Sequence, residues 1–109
     1  MAYSDSLAAR IRDALARKKR IEEKKMFGCI CFFLNGNALA GVWKDSLIAR
    51  LGSVNGEAAL LEPHVRKFDI TGRPMRNWVV VEPEGVEDDE ELKGWIERAM
   101  NFVKTLPKK

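Results

Sequence analysis

The stretch of sequence that decides the fold is CICFFLNGNALAGVW, residues 29–43. Two apolar runs, Cys29–Leu34 and Ala38–Trp43, flank Asn35-Gly36-Asn37, whose residues tolerate the positive φ of a tight turn, so the pattern predicts a β-hairpin. A second turn at Lys44-Asp45 leads into Ser46–Leu51, which extends the hairpin to an antiparallel meander of three strands. The first run is apolar at nearly every position and is therefore predicted to be buried on both faces, inside the sheet or under a partner.

Downstream of the meander the sequence predicts a short helix and two further strands. The helix is expected over Val54–Leu61, because Pro63 prevents its extension beyond Glu62. Val65–Ile70 and Asn77–Glu82 are predicted strands. A turn at Thr71-Gly72-Arg73-Pro74 separates them, since glycine and proline favour turns.

An amphipathic helix is predicted over Ser6–Lys18, upstream of the meander. Its apolar stripe repeats every fourth residue, at Leu7, Ile11 and Leu15. Either Ser4 or Asp5 can cap its start, because a short side-chain oxygen accepts from a backbone N–H that lacks a helical partner. The cationic run 17–20 suits the negative end of the helix dipole.

The last predicted helix has the widest apolar stripe in the chain, which extends from Leu92 to Leu106 and is closed by Pro107. An acidic run, Glu87–Glu91, precedes it and is stabilised by the positive end of the helix dipole. The predicted order is therefore α-β-β-β-α-β-β-α. This order is typical of an α+β fold in which amphipathic helices cover a largely antiparallel sheet.

Length and composition indicate one globular domain over residues 1–109, with no second module. The chain has 109 residues, 46% of them hydrophobic and 32% charged, and a formal net charge of +3. The longest apolar stretch is far shorter than the roughly 20 residues of a membrane-spanning helix. No secretory signal is evident at the N-terminus, and the two cysteines are too few for a disulfide framework. We therefore expect a cytoplasmic protein without membrane contact.

Three stretches stand out in order along the chain: Lys25–Gly28, Asn35–Asn37, and the string Phe68–Met75 followed by Trp78–Val81. Their order and spacing resemble the N-terminal domain of the TfoX family of bacterial competence regulators. The resemblance covers essentially the whole chain and implies a two-layer architecture of the type-III secretion-chaperone-like kind, a bacterial cytoplasmic location and a homodimer. It implies no catalytic residue and no cofactor. Longer family members carry a second, helical C-terminal domain, which is not expected in a chain that ends at Lys109.

Cys29, Cys31 and His64 are the residues that bear on catalysis or metal binding. The cysteines lie two apart on a predicted strand, so both point to one face with Cα atoms roughly 6.6 Å apart. That separation is at the long limit for a disulfide, and one cysteine pair with a single histidine falls short of a zinc site. Small core or interface residues are the preferred interpretation, and thiol-redox or metal use is the alternative. His64 is expected in an exposed loop, although a Cys–His nucleophilic pair stays open.

Arg73 is the candidate ligand-binding residue, because it lies between Gly72 and Pro74 in a predicted turn. An ion pair with Asp69 that closes the turn is the structural interpretation. A guanidinium held in a turn can also bind a carboxylate or phosphate through two hydrogen bonds. In that case Arg50 and Trp78 are expected nearby.

The chain has a basic segment and an acidic segment. Residues 10–25 hold eight cations and three anions, whereas residues 82–91 hold seven anions and no cation. The basic segment has no interleaved aromatic residues for base stacking, which makes a solvated helix end the preferred interpretation over a nucleic-acid contact. Dimerisation between the basic end of one subunit and the acidic end of another is a further alternative.

These observations and the resemblance favour a non-enzymatic regulatory or protein-interaction domain, such as a transcription or competence co-regulator, with an unidentified protein partner. Its apolar contact surface is expected on the sheet and the last helix. The first alternative is a small anion-binding module centred on Arg73, and the second is a thiol-redox or metal-binding protein that uses Cys29 and Cys31.

Overall fold

The computed structural model of the chain describes residues 4–26, 29–68 and 77–107, and its core is a six-stranded antiparallel sheet. The strands are β1 (Ile21–Met26), β2 (Cys29–Leu34), β3 (Asn37–Trp43), β4 (Ser46–Arg50), β5 (Val65–Lys67) and β6 (Trp78–Val81). The helices are α1 (Asp5–Ala14), α2 (Ser53–Ala59) and α3 (Asp89–Val103), with a 3-10 turn at Pro83–Val86. In space the strand order is β1-β2-β3-β4-β6-β5. The predicted α+β class with a largely antiparallel sheet is confirmed.

The meander is built as its sequence predicts. Asn35 and Gly36 have φ values of 54° and 83°, the left-handed conformation that the β2–β3 turn requires. β2 lies between β1 and β3, and all but one of its residues are buried, which confirms its interior position. Register shifts by one residue between Phe32 and Phe33, where β2 pairs with β3.

The structure contains a strand that the sequence pattern did not predict, β1. Four of its six residues are charged and exposed, so it lacks the apolar alternation of a typical strand. Backbone pairing along all six residues holds it against β2. Charged side chains on an edge strand also oppose pairing with another chain, which gives this composition a structural reason.

The ends of several elements differ from prediction. α1 ends at Ala14 rather than at Lys18, and the chain then turns through the cationic run to Arg20, whose φ is 63°. Ser4 is the residue that caps α1, since its Oγ accepts from the backbone N–H of Leu7 at 3.2 Å. The predicted strand Val65–Ile70 is described only as far as Phe68, and the predicted turn at 71–74 lies outside the described residues.

α1, α2 and α3 bury their apolar side chains against one face of the sheet and form the main core. Phe32 and Leu39 from the sheet meet Ile11 of α1 and Ile96 of α3 in this core. Arg10 of α1 links this helix to the start of α3. Its guanidinium donates to the backbone carbonyls of Val86 and Glu87, at 2.7 and 3.1 Å, and to the Asp89 carboxylate. In the described part of the chain no helix is long and apolar enough to cross a membrane.

Gly41 in β3 is expected to be intolerant of a side chain. A Cβ at this position lies 2.5 Å from the backbone oxygen of Ile30, which a packed sheet cannot move away cheaply. We expect Gly41→Ala to lower the free energy of unfolding by about 1–3 kcal/mol in urea titrations. The matched control is Gly94→Ala in α3, where a Cβ meets nothing within 4 Å. That variant is expected to be neutral or to gain up to about 1 kcal/mol, so equal losses in the two variants would contradict the packing described here.

Candidate functional site

The sheet face turned away from the three helices carries a second apolar cluster, which we call the aromatic face. Its floor consists of three buried residues, Cys31, Ile48 and Val80. Its rim consists of four half-buried aromatic rings, those of Phe33, Trp43, Phe68 and Trp78. The buried apolar side chains of α1, α2 and α3 belong to the main core instead. Among the described residues no helix contributes to the aromatic face, so its rings are half exposed.

Strand register assembles the aromatic face from distant parts of the chain. One row of directly paired residues crosses the sheet: Lys24, Cys31, Gly41, Ile48, Val80 and Arg66. Directly paired residues in an antiparallel sheet point to the same face, so this row runs straight across the floor. Its middle is apolar and each of its two ends is a cation.

Cations also lie close to the aromatic rings. The Lys24 Nζ is 5.3 Å from the centroid of the Phe33 ring. The Lys44 Nζ and the Arg66 Cζ are 4.8 and 5.5 Å from the Trp43 ring centroid. The Phe68 and Trp78 rings pack together in a tilted arrangement, with their centroids 5.9 Å apart. The face thus alternates cationic and aromatic groups.

Cys29 and Cys31 are both buried, with 8% and 7% of their surface exposed. Burial raises the pKa of the Cys29 thiol, and burial together with the nearby Cys29 raises the pKa of Cys31 to about 11. Both shifts disfavour the thiolate, which is the reactive form. These properties support the interpretation of the two cysteines as small packing residues.

His64 is exposed, as predicted, and precedes β5 with a φ of 65°. Four strand spacings separate β5 from β2, where the cysteines lie, which amounts to about 19 Å. A Cys–His nucleophilic pair is therefore not formed. In the described segments no group of three or more His, Cys, Asp or Glu side chains is placed to hold a metal ion.

The four residues predicted to contact a ligand or partner fall into two pairs. Arg50 and Trp78, which were predicted to lie near Arg73, are directly paired across β4 and β6. The Arg50 Nη1 donates to the Ala38 carbonyl at 3.3 Å, and its guanidinium lies 5.9 Å from the Phe102 ring centroid. Asp69 and Arg73 lie outside the described residues, so the predicted anion site centred on Arg73 stays a prediction.

The basic segment of residues 10–25 does not form a single surface. Arg10 is bound to the start of α3, and Arg12 forms a salt bridge with Glu23 at 2.8 Å that lowers the pKa of this carboxyl group. Residues 17–20 are exposed on a turn, whereas Lys24 extends from β1 beside the aromatic face. The basic and acidic segments therefore meet within one chain, through the salt bridge between Arg10 and Asp89. This contact between the two segments does not require a dimer.

The sequence pattern did not predict the aromatic face. Its residues come from β2, β3, β4, β6 and the position after β5, and no local motif connects them. The two-residue period of a strand sorts its side chains into two faces, but residues of different strands can be joined only once the register is known. The aromatic residues absent from the basic segment are supplied by other strands.

The comparisons with known proteins identify one family. The family model described as TfoX N-terminal domain matches residues 13–103, which is most of the chain. No curated protein and no solved structure matches the chain.

Proposed function

Because the chain belongs to the TfoX N-terminal domain family, a family of competence-regulator-like domains, we propose that it regulates by binding a macromolecular partner through its aromatic face, without catalysis. The observation that carries this proposal is the sheet face that no helix of the described residues covers, with its four half-buried rings. Tryptophan and arginine side chains around an apolar centre are the groups that contribute most to binding at protein interfaces.

The rest of the described surface offers less to a partner or substrate. The depression between α1 and α3 contains the bonded pair Arg10 and Asp89, and its other lining residues are Asp13, Ala14, Leu92 and Lys93. The depression between α2 and α3 contains the Arg98–Glu62 salt bridge, at 2.8 Å. Neither depression brings a nucleophile and a base together. A homodimer, a bacterial source and a cytoplasmic location, which the resemblance implies, remain predictions.

Photo-crosslinking in cells tests the proposed binding surface. A photoreactive phenylalanine analogue is placed at Trp43 on the aromatic face and, as a matched control, at Leu61, which is 90% exposed beyond α2. We expect ultraviolet light to produce a discrete crosslinked species from position 43 and none from position 61. Crosslinking from position 61 alone, or from neither position, would contradict a binding role for the aromatic face.

A further inference from the structure

The aromatic face carries cations along the row of paired residues that crosses the sheet, an arrangement that suits an extended anionic polymer. Lys24 and Arg66 occupy the two ends of the row that crosses the sheet. Five strand spacings, about 24 Å, separate the backbones at these ends, but both side chains reach inward, the Lys24 Nζ to 5.3 Å from the Phe33 ring centroid and the Arg66 Cζ to 5.5 Å from the Trp43 ring centroid. Lys44 adds a third cation beside Trp43. Two acidic residues lie at the rim: Glu22, paired with Phe33, and Glu82, whose Oε2 is 3.8 Å from the Arg66 Nε.

Two symmetric arrangements of a second copy on this face, those in which the two rows coincide, are disfavoured. If two sheets pack face to face about a two-fold axis along the strands, β1 lies over the other copy's β5 and Lys24 faces Arg66. If the axis runs along the row, Lys24 faces Lys24 and Arg66 faces Arg66. Each arrangement places like charges opposite one another, which disfavours association.

An added peptide strand is also disfavoured. β1, at one edge of the sheet, carries four exposed charged residues, and β5, at the other edge, has three residues. Charged and short edge strands are features that oppose pairing with another strand. A partner is therefore expected to bind through the aromatic face and its cations, and not through an edge strand.

We propose that the aromatic face binds single-stranded nucleic acid, a proposal that rests on the proposed function because it names the partner of the same surface. Lys24 lies over the Phe33 ring, and Lys44 and Arg66 lie over the Trp43 ring, so these cations turn outward to the backbone phosphates while bases stack on the Phe33, Trp43 and Trp78 rings. Aromatic platforms interleaved with cations are the two components of sequence-tolerant single-strand binding. A duplex keeps its bases stacked inside and offers only its phosphates to this face.

Fluorescence anisotropy with a labelled oligothymidylate of about 12 nucleotides, a length within known single-strand site sizes, tests this proposal. At about 50 mM salt, we expect tighter binding of the single strand than of a duplex of equal length. Trp43→Ala is expected to raise Kd by about five- to 150-fold, the effect of losing one stacking platform, whereas Trp43→Phe retains most of the affinity. Lys24→Ala should reduce the slope of log K against log salt by about 0.7.

Lys18→Ala is the matched control, because Lys18 is an exposed cation on the turn after α1, away from the face. Its Kd is expected to stay near that of the wild type. Loss of binding in Lys18→Ala with none in Trp43→Ala would overturn the proposal, as would failure to bind any oligonucleotide. If Trp43→Ala does not fold, the exposed Lys24→Glu variant takes its place and is expected to abolish binding.

Two further outcomes separate this proposal from the proposed function. If position 43 crosslinks to a protein while the oligonucleotide does not bind, the aromatic face is a protein-binding surface and only the nucleic-acid proposal fails. If light scattering shows a dimer that Trp43→Ala dissociates, the face is an interface between two copies, which also overturns the nucleic-acid proposal. If neither crosslinking nor nucleic-acid binding is seen, both proposals fail.

Discussion

Phe32→Ala is expected to lower the free energy of unfolding by about 3–5 kcal/mol. Phe32 is 1% exposed and lies in the main core, under the helices. Its replacement leaves a cavity between the sheet and the helices, whose packed side chains cannot all relax into it. Urea unfolding followed by circular dichroism measures the loss. A domain of this size has only about 5–15 kcal/mol of stability, so the expected loss is a large fraction of the total.

Phe33→Ala is the matched control for this prediction, because Phe33 is the next residue on β2 and packs on the aromatic face. Its ring is half-buried, and its removal is expected to cost only about 1 kcal/mol. The contrast between neighbours follows from the alternation of side chains along a strand. Equal losses in the two variants would show that both sheet faces are equally covered, which the described structure does not allow.

The Cys31 thiol is expected to resist alkylation in the folded protein. With a pKa of about 11 instead of 9.0, its thiolate fraction at about pH 8 falls about 100-fold, and the rate of reaction falls in proportion. Burial slows the reaction further, because 7% of the residue is exposed. Iodoacetamide labelling followed by tandem mass spectrometry measures the rate at Cys31 in the wild-type protein, because Cys29 contributes to the raised pKa. The Cys29→Ser variant, where Cys31 is the sole remaining thiol, identifies the labelled fragment.

The wild-type protein in concentrated urea provides the reference rate for an exposed thiol. The expected ratio of unfolded to folded rates is therefore at least about 100. Because the raised pKa keeps the folded thiol neutral, the associated stability is present below about pH 9 and is lost as pH rises toward about 11. Rapid labelling of the folded protein at neutral pH would restore the thiol-redox alternative for Cys31.

Much of the fold was predictable because local patterns carry it. The Asn35-Gly36 turn, the apolar run of β2 and the wide stripe of α3 each appear in the structure close to their predicted bounds. β1 was not predictable in this way, because its six residues include four charges and its strand conformation depends on backbone pairing with β2. The end of α1 at Ala14 likewise depends on the turn that brings the chain into β1.

The candidate site was less predictable than the fold. Arg50 and Trp78 were predicted to lie near Arg73, which is outside the described residues, and Lys24, Trp43 and Arg66 had no sequence signal that joined them. They are 19 and 23 residues apart along the chain and share a surface because β1, β3 and β5 present them on one side of the sheet.

By itself, the amino-acid sequence determined that this chain forms amphipathic helices and an antiparallel meander, because hydrophobic periodicity and turn residues act over a few positions. It also carried the family resemblance. Only the tertiary structure decided which face of the sheet the helices cover and which rings and cations meet on the other. That decision depends on strand register, and a shift of one residue would exchange the two faces.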